Sequence, residues 1–397
     1  MGTRGLTMVE LMVTLAVILL ITAAASTAYV KLLRGVKVQG RITESQLDTL
    51  CGFELLRYDI EMAGYGLFRV LPTGTPVFTY DEAVNSATTP DATVFNDAPG
   101  IPRAFAFSDN TGQQGADDNA SDVLVIKSLV ASPKAANRKW SLLHQDGGTW
   151  KVNTWDDSAL NFSAANPTDR IIVLGENGAL ERAGGNWWFD FQSYYTVNAT
   201  QSPGLPVPAT GGTNIAYGLL SSDDNATVRM PFHRVDYYLK RPSGNFPARC
   251  FSESYILYRS TINHGNGARN EQPLIDCVLD FQVAFGVDTN GDRAVDRWGD
   301  LILADANGNG SVSAQEVRER VREVRVFVLY HEGQRDNDFR FSGTLNLGDA
   351  QISGNANFQT LSAAASADAL STFAPSGEAQ HYRWRVAKLA IKPMNLD

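Results

Sequence analysis

The segment from Asp305 to Glu316 has the residue types and the spacing of a calcium-binding loop. Ca²⁺ takes six to eight oxygen ligands, and an EF-hand loop supplies them from positions one, three, five, seven, nine and twelve, with glycine at six. Gly310 occupies position six here, and oxygen-bearing residues occupy the ligand positions. We therefore expect calcium to be held by Asp305, Asn307, Asn309, Ser311 (through its carbonyl oxygen), Ser313 and Glu316.

The same segment also fits a structure without metal. Ser313 and Glu316 have the spacing of a capping box, which begins a helix after a solvated Asn/Gly turn. In either case, Val312 is expected to pack inward, and residues 314–323 are expected to form a helix. The sequence leaves the metal loop and the capped turn open as alternatives.

A second, weaker loop lies upstream, between residues 288 and 296. It has Arg293 at position six and Gly299 at position twelve, so Asp300 would have to replace the missing last ligand. The two loops begin 17 residues apart, which is too close for paired EF-hands with full helices between them. We predict a compact module over residues 288–316 that holds structural calcium with modest affinity. Its upper ligands would be Asp288, Asn290, Asp292 and Asp296.

The N-terminus determines where such a module would work. Residues 11–30 carry no charge and are mostly apolar, which is enough for a helix to cross a hydrocarbon core of about 30 Å. Glu10 directly precedes this run, and a short leader ends at Gly5. If the chain were cut after Gly5, the α-amine of Leu6 could pair with Glu10 of a neighbouring parallel helix and set their register.

This leader resembles the class III signal of type IV pilins and of type II secretion pseudopilins. The resemblance rests on Gly5-Leu6-Thr7-Met8-Val9-Glu10 followed by an apolar helix, with Leu6 where phenylalanine is usual. It implies cleavage after Gly5 by a prepilin peptidase, N-methylation of Leu6, and a role in assembly for Glu10.

Two other interpretations of the leader stay open. The run Ala23-Ala24-Ala25-Ser26 resembles the cleavage site of an ordinary secretory signal peptide, and the helix also fits a plain stop-transfer anchor. The charges do not decide among them. Basic residues are more frequent after the span than before it, so the positive-inside rule would favour the opposite orientation of the helix.

Beyond the span, helical periodicity extends the first helix to about residue 63. The closing stretch, Leu56 to Gly66, resembles the helix end of PilW-like minor pilins, and the strand-like segments after residue 230 occur in a similar order. We predict an α+β fold in which a pilin-like long N-terminal helix packs on an antiparallel β-sheet, with a large β-rich insertion. The predicted divisions are a leader (1–5), a transmembrane half-helix (6–30), an amphipathic half-helix (31–66), a β-rich insertion or second domain (67–230) and a C-terminal sheet (231–397).

Composition narrows the function further. A net charge of −9 argues against nucleic acid as a partner, and a 44% hydrophobic content allows a substantial core. Cys250 and Cys277 could form a disulfide in an oxidising compartment, and Cys51 is expected to be buried in the helix. The sequence offers no constellation of catalytic residues, so we predict that the protein is not an enzyme.

The resemblance implies a minor type IV pilin that primes or caps the pilus filament. It would sit in the inner membrane as a single-pass protein with a periplasmic head, and then move to the extracellular pilus, near its tip. Its partners would be other major and minor pilins and the prepilin peptidase. The alternatives are a minor pseudopilin of type II secretion and an exported calcium-dependent adhesin.

Overall fold

The described part of the chain forms one long N-terminal helix, two larger antiparallel sheets and a two-stranded sheet, which confirms the predicted α+β class. The long helix, α1, runs from Met8 to Glu61. A short helix, α2, spans Ala314–Arg320. The computed structural model describes residues 7–84, 90–109, 121–146, 149–163, 168–183, 185–191, 206, 212–224, 227–346 and 372–396.

The strands of these residues are mostly short, and the C-terminal part of the chain holds the longest. Their bounds are β1 (Phe105–Ser108), β2 (Val123–Ser128), β3 (Trp140–Asp146), β4 (Thr149–Val152), β5 (Asp169–Leu174), β6 (Phe189–Asp190), β7 (Thr213–Ser221), β8 (His233–Lys240), β9 (Tyr255–Ile262), β10 (Arg269–Val287), β11 (Arg297–Gly299), β12 (Val321–Glu332), β13 (Leu345–Asn346), β14 (Thr372–Phe373) and β15 (Arg383–Ile391).

The helix α1 has 54 residues, which corresponds to a length of about 80 Å. Thr7 caps its start, and Gly64, with a φ of 84°, turns the chain away after its end. Among the described side chains of α1, burial begins at Thr49 and continues with Phe53, Leu56 and Ile60. The head therefore covers only the last few turns, and the rest of the helix projects from it.

The main sheet has the strand order β1-β2-β8-β9-β10-β12-β15, with β11 paired to β10. All of its neighbouring strands are antiparallel. The five strand segments predicted after residue 230 all lie in this sheet, and α1 packs against β10, β12 and β15. This arrangement confirms the prediction of a helix on one antiparallel sheet.

Residues 67–230 contribute to both sheets. Strand β2 pairs with β8 and so extends the main sheet across the predicted boundary at residue 230. The second sheet has the order β4-β3-β7-β5-β6. Its apolar residues, such as Ile172 and Leu219, join the same core cluster as Leu56 of α1 and Phe281 of β10. The two sheets thus share a core.

The aromatic cluster at residues 187–189 belongs to this interior. Phe189 is buried, and Trp187 and Trp188 are half-buried against the main core, so this cluster is part of the core and not an exposed patch. The two-residue strand β6 lies in this cluster, among the residues described up to 191.

The cysteines differ from one another in their surroundings. Cys250 and Cys277 form a disulfide with Cα atoms 4.9 Å apart, both buried. Cys51, in contrast, is exposed on α1, so its predicted burial is wrong. Its helical position turns it away from the face that carries Phe53 and Leu56.

Candidate functional site

The two predicted calcium loops form the connection between β10 and β12, which are neighbours in the main sheet. The chain leaves β10, makes the upper loop, returns to pair as β11, makes the lower loop, and enters α2. The N–H group of Asp288 donates to the carbonyl of Arg320 at 2.8 Å, which joins the two ends of the connection. The helix α2 ends at Arg320, three residues earlier than expected, because β12 begins at Val321.

In the upper loop, three carboxylates converge. One oxygen atom from each of Asp288, Asp292 and Asp296 lies within 4.8 Å of the others. The amide of Asn290 donates to Asp292 at 3.2 Å and to Asp296 at 3.1 Å, so the fourth predicted ligand lies in the same cluster. The structure therefore brings together all four residues that the sequence singles out in this loop.

The upper loop closes differently from the expected pattern. Arg293 stands at the position of the usual glycine and has a φ of 68°, so it adopts the left-handed turn with a side chain present. Asp296 accepts from the N–H of Thr289 at 2.8 Å and closes a nine-residue loop. Asp300 instead lies near Asp109. The pKa of Asp300 is raised to about 6, mainly by burial and in addition by the negative charge of Asp109. Asp300 is not among the three carboxylates that converge in the upper loop.

The lower loop turns around Asp305. Its Oδ1 accepts from the N–H of Gly308 and its Oδ2 from the N–H of Gly310, both at 2.8 Å. Gly308 and Gly310 have positive φ values of 68° and 80°, which only glycine adopts without cost. Asn307 and Asn309 each accept from the N–H two residues further on. The side-chain oxygens of Asp305, Asn307 and Asn309 thus accept from the backbone of the loop itself.

Glu316 reaches back across the lower loop. Its Oε1 accepts from the N–H of Ala306 at 2.8 Å, and its Oε2 accepts from the N–H and hydroxyl of Ser313, each at 2.8 Å. The capping box that the sequence offers as an alternative is thus present. Val312 is buried, as predicted. Oε1 also accepts from Nδ2 of Asn307 at 3.2 Å, so the roughly four lone-pair sites of the carboxylate are engaged, and a cation would displace some of these donors.

Three carboxylates of the loops, those of Asp288, Asp305 and Glu316, are held in their charged form. Burial raises the pKa of Asp288, but the N–H groups of Gly291 and Arg293, together with Arg322, lower it by more. Burial also raises the pKa of Asp305 and Glu316, but the hydrogen bonds from backbone N–H groups lower it by more. Ionised carboxylates, amide oxygens and a tight turn are a donor set suited to a hard cation such as Ca²⁺.

A buried ion pair that the sequence analysis missed fixes α1 to the main sheet. Asp59, on the last turn of the helix, accepts from Arg259 Nε of β9 at 2.7 Å and from the hydroxyl of Tyr237 of β8 at 2.5 Å. The guanidinium of Arg259 also donates to the Ala131 carbonyl at 2.6 Å. The only sequence signal was an aspartate between the apolar residues Leu56 and Ile60, on the buried face.

At its start, α1 carries the residues expected to act in assembly. Glu10 closes a capping box with Thr7, whose N–H donates to the Glu10 carboxylate at 3.0 Å. Gly5 and Leu6 lie outside the described residues. The most apolar 18-residue window of the segment Met8–Lys37 has a mean hydropathy of 2.4 and is not buried, so the segment is long and apolar enough to span a membrane.

These features define a class of α+β protein in which a single apolar helix, able to cross a membrane, carries a large β-rich head. Residues 236–391 match the family model described as Type IV Pilus-assembly protein W. The match covers β9, β10, the predicted calcium module, β12 and β15, which is about two fifths of the chain, and it supports a PilW-like type IV pilus protein, as the sequence resemblance predicted. No curated protein and no solved structure gives a significant match to the chain.

Proposed function

We propose that this protein is a minor type IV pilin that primes or caps the pilus filament. It is made as a prepilin, cut after Gly5 by the prepilin peptidase and methylated on Leu6. It waits in the inner membrane with a periplasmic head, and then enters the pilus at or near the tip. The match to the pilus-assembly family supports the pilus over the other systems.

The observation that carries this proposal is the continuity of α1. One helix joins an unburied apolar segment, Met8–Lys37, to a seam of buried residues in the head. Such a helix can anchor the head outside a lipid bilayer. On assembly it can leave the bilayer and pack against the helices of neighbouring pilins. The large head supports a tip position, because a bulky head is difficult to repeat along a helical filament.

Assembly contacts in this proposal are made by the N-terminus. After cleavage, the α-amine of Leu6 carries a positive charge close to Glu10 of an adjacent subunit. In an apolar filament core this pair is strongly favoured over an unpaired carboxylate. Major and minor pilins are therefore the partners, and the role is non-enzymatic.

Calcium has a structural role in this proposal. The cation would be held by Asp288, Asp292 and Asp296 in the upper loop and by Asp305 and Glu316 in the lower loop, with the amide and hydroxyl oxygens between them. Because the module connects β10 to β12, its rigidity bears directly on the sheet that supports α1.

The assembly proposal is tested by Glu10→Ala in the source cell. We expect the variant to be cleaved and membrane-bound but to restore few or no pili to a strain that lacks the gene. Glu54→Ala is the matched control, since Glu54 is an exposed carboxylate further along the same helix. Normal piliation with Glu10→Ala would contradict the proposal.

The same cells separate the proposal from its alternatives. A minor pseudopilin would leave pili intact and abolish export of type II secretion substrates when deleted. An exported adhesin, cut near Ser26, would be recovered as a soluble mature chain in the medium. Each of these outcomes would replace the pilin proposal.

A further inference from the structure

Two buried histidine rings meet where the second sheet contacts the main sheet. His233 is the first residue of β8, and His264 lies in the turn between β9 and β10. Their ring centroids are 4.8 Å apart, and both side chains are buried. Neither residue belongs to the predicted calcium module or to the contact between α1 and the head.

The contacts of His233 determine which of its nitrogens carries the proton. Its Nε2 lies 2.9 Å from the Leu219 carbonyl and 3.1 Å from Oδ1 of Asn137. The amide of Asn137 is oriented by its Nδ2, which donates to the Ser132 carbonyl at 2.9 Å. Both neighbours of Nε2 are thus acceptors, so Nε2 carries the hydrogen and Nδ1 of the neutral ring is an acceptor.

His264 completes this chain of hydrogen bonds. Its Nε2 lies 3.1 Å from Nδ1 of His233, so Nε2 donates and carries the hydrogen of the neutral His264 ring. The lone pair of His264 is therefore on Nδ1. Within the described part of the chain, this buried atom has no hydrogen-bond partner. It is the one place in the pair where an additional proton can bind without breaking a hydrogen bond.

The pair connects three parts of the fold. Leu219 belongs to β7 of the second sheet, and Asn137 lies in the turn that leads into β3. His233 belongs to the main sheet, and His264 to the β9–β10 turn. A change in the charge of the two rings therefore acts directly on the contact between the sheets.

The charged groups around the pair do not favour a positive ring. Asp224 and Lys134 face His233, and they form an ion pair with each other. Arg229 faces His264 and has Asp81 as a weak partner at 3.8 Å. A proton on His264 would thus place a buried cation beside another cation, with the Phe232 carbonyl as its main compensation.

We propose that the His233–His264 pair is an acid-sensitive latch, which holds the second sheet on the main sheet only while both rings are neutral. Protonation at Nδ1 of His264 charges the buried ring, and the strain is relieved when the rings separate and reach water. Separation removes the hydrogen bonds from Nε2 of His233 to Leu219 and Asn137. The second sheet then loosens while the main sheet stays paired.

The direction of the pH effect follows from burial. Burial lowers the pKa of His233 to about 4, and burial, His233 and Arg229 lower the pKa of His264 well below its usual range. In the open state both rings return to about 6.5. The open state therefore binds more protons below that value, so closure is complete above it and weakens as the pH falls. Each ring raises the opening constant by up to about tenfold per pH unit.

The test is hydrogen exchange by mass spectrometry on the full chain in detergent micelles, from pH 7 to pH 4.5, corrected for the intrinsic exchange rate. We expect the opening constant of the β7 peptide to rise steeply below pH 6.5, while that of the β12 peptide changes little. His264→Gln keeps a donor for His233 but cannot be protonated, so the rise should become shallower by about tenfold per pH unit. His144→Gln, on β3 of the same sheet, is the control and should leave the rise unchanged.

An equally steep rise in His264→Gln would overturn the proposal. If that variant does not fold, NMR titration of the histidine rings in the unmodified chain gives the answer. The latch predicts two rings protonated at Nε2 that stay neutral at pH 5.5. Two rings that titrate near pH 6.5 in the folded protein would overturn it.

Discussion

The end of α1 and the calcium module both support the same sheet, but they hold their charges in opposite ways. At the end of α1, Asp59 and Arg259 are buried and each satisfies the other. In the module, Asp305 is only partly buried and accepts from backbone N–H groups. A buried carboxylate with a fixed cationic partner gives permanent attachment, whereas a carboxylate held by neutral backbone donors keeps a negative charge that a cation can neutralise. We therefore expect the attachment of α1 to be independent of the cations in solution, and the contribution of the module to depend on calcium.

The largest effect is expected at the attachment of α1. Asp59→Ala leaves the Arg259 guanidinium buried and unpaired, which costs about 3–5 kcal/mol in the free energy of unfolding. Urea unfolding of the full chain in detergent measures this loss. The double variant Asp59→Leu with Arg259→Met should recover much of it, because no charge is then left buried. A loss below about 1 kcal/mol would show that the pair is not a main attachment.

The disulfide is a second support that does not depend on calcium, and we expect it to contribute less to the free energy of unfolding than the ion pair. Cys250 and Cys277 are 27 residues apart, and closing such a loop stabilises the fold by about 3 kcal/mol. We expect the paired substitution of both cysteines by serine to lower the urea midpoint equally with and without calcium. Cys51→Ser is the control, and its exposed position predicts little change. A calcium-dependent loss would mean that the two supports are coupled.

The module should contribute only when calcium is present. At ten times the dissociation constant a single bound cation adds about 1.4 kcal/mol, which is the increment that millimolar calcium gives at a site of modest affinity with a dissociation constant of about 0.1 mM. We expect calcium to raise the melting temperature of the unmodified chain and magnesium to raise it less. Asp288→Asn should remove more of this increment than Asp305→Asn, because the upper loop has three converging carboxylates. Equal melting temperatures with calcium and with chelator would exclude the structural metal.

The sequence predicts much of this fold because the signals are local. Helical periodicity places α1 to within two residues at each end, and alternation places the five C-terminal strands in one sheet. Loop spacing likewise brings together the upper ligands. Local patterns do not reveal that β2 crosses the predicted boundary to pair with β8, since that contact depends on packing between distant segments.

The contacts that the sequence does not predict are distant pairs. Asp59 and Arg259 are 200 residues apart, and neither has a motif around it. Asp300 shows a related limit: counting positions makes it a candidate ligand, but the chain places it beside Asp109 instead. Spacing predicts which residues can meet within a loop, whereas long-range partners are determined by the sheet order.

The central claim is that α1 is processed and assembled as a pilin helix. The most direct measurement is the mass of the N-terminal peptide of the mature protein, taken from membranes of the source cell. A chain that begins with methylated Leu6 is the predicted result, and it would make Glu10 the fifth residue of the mature protein. A terminus near Ser26 would contradict the account, because the segment before it would then be a removed signal and not part of a filament.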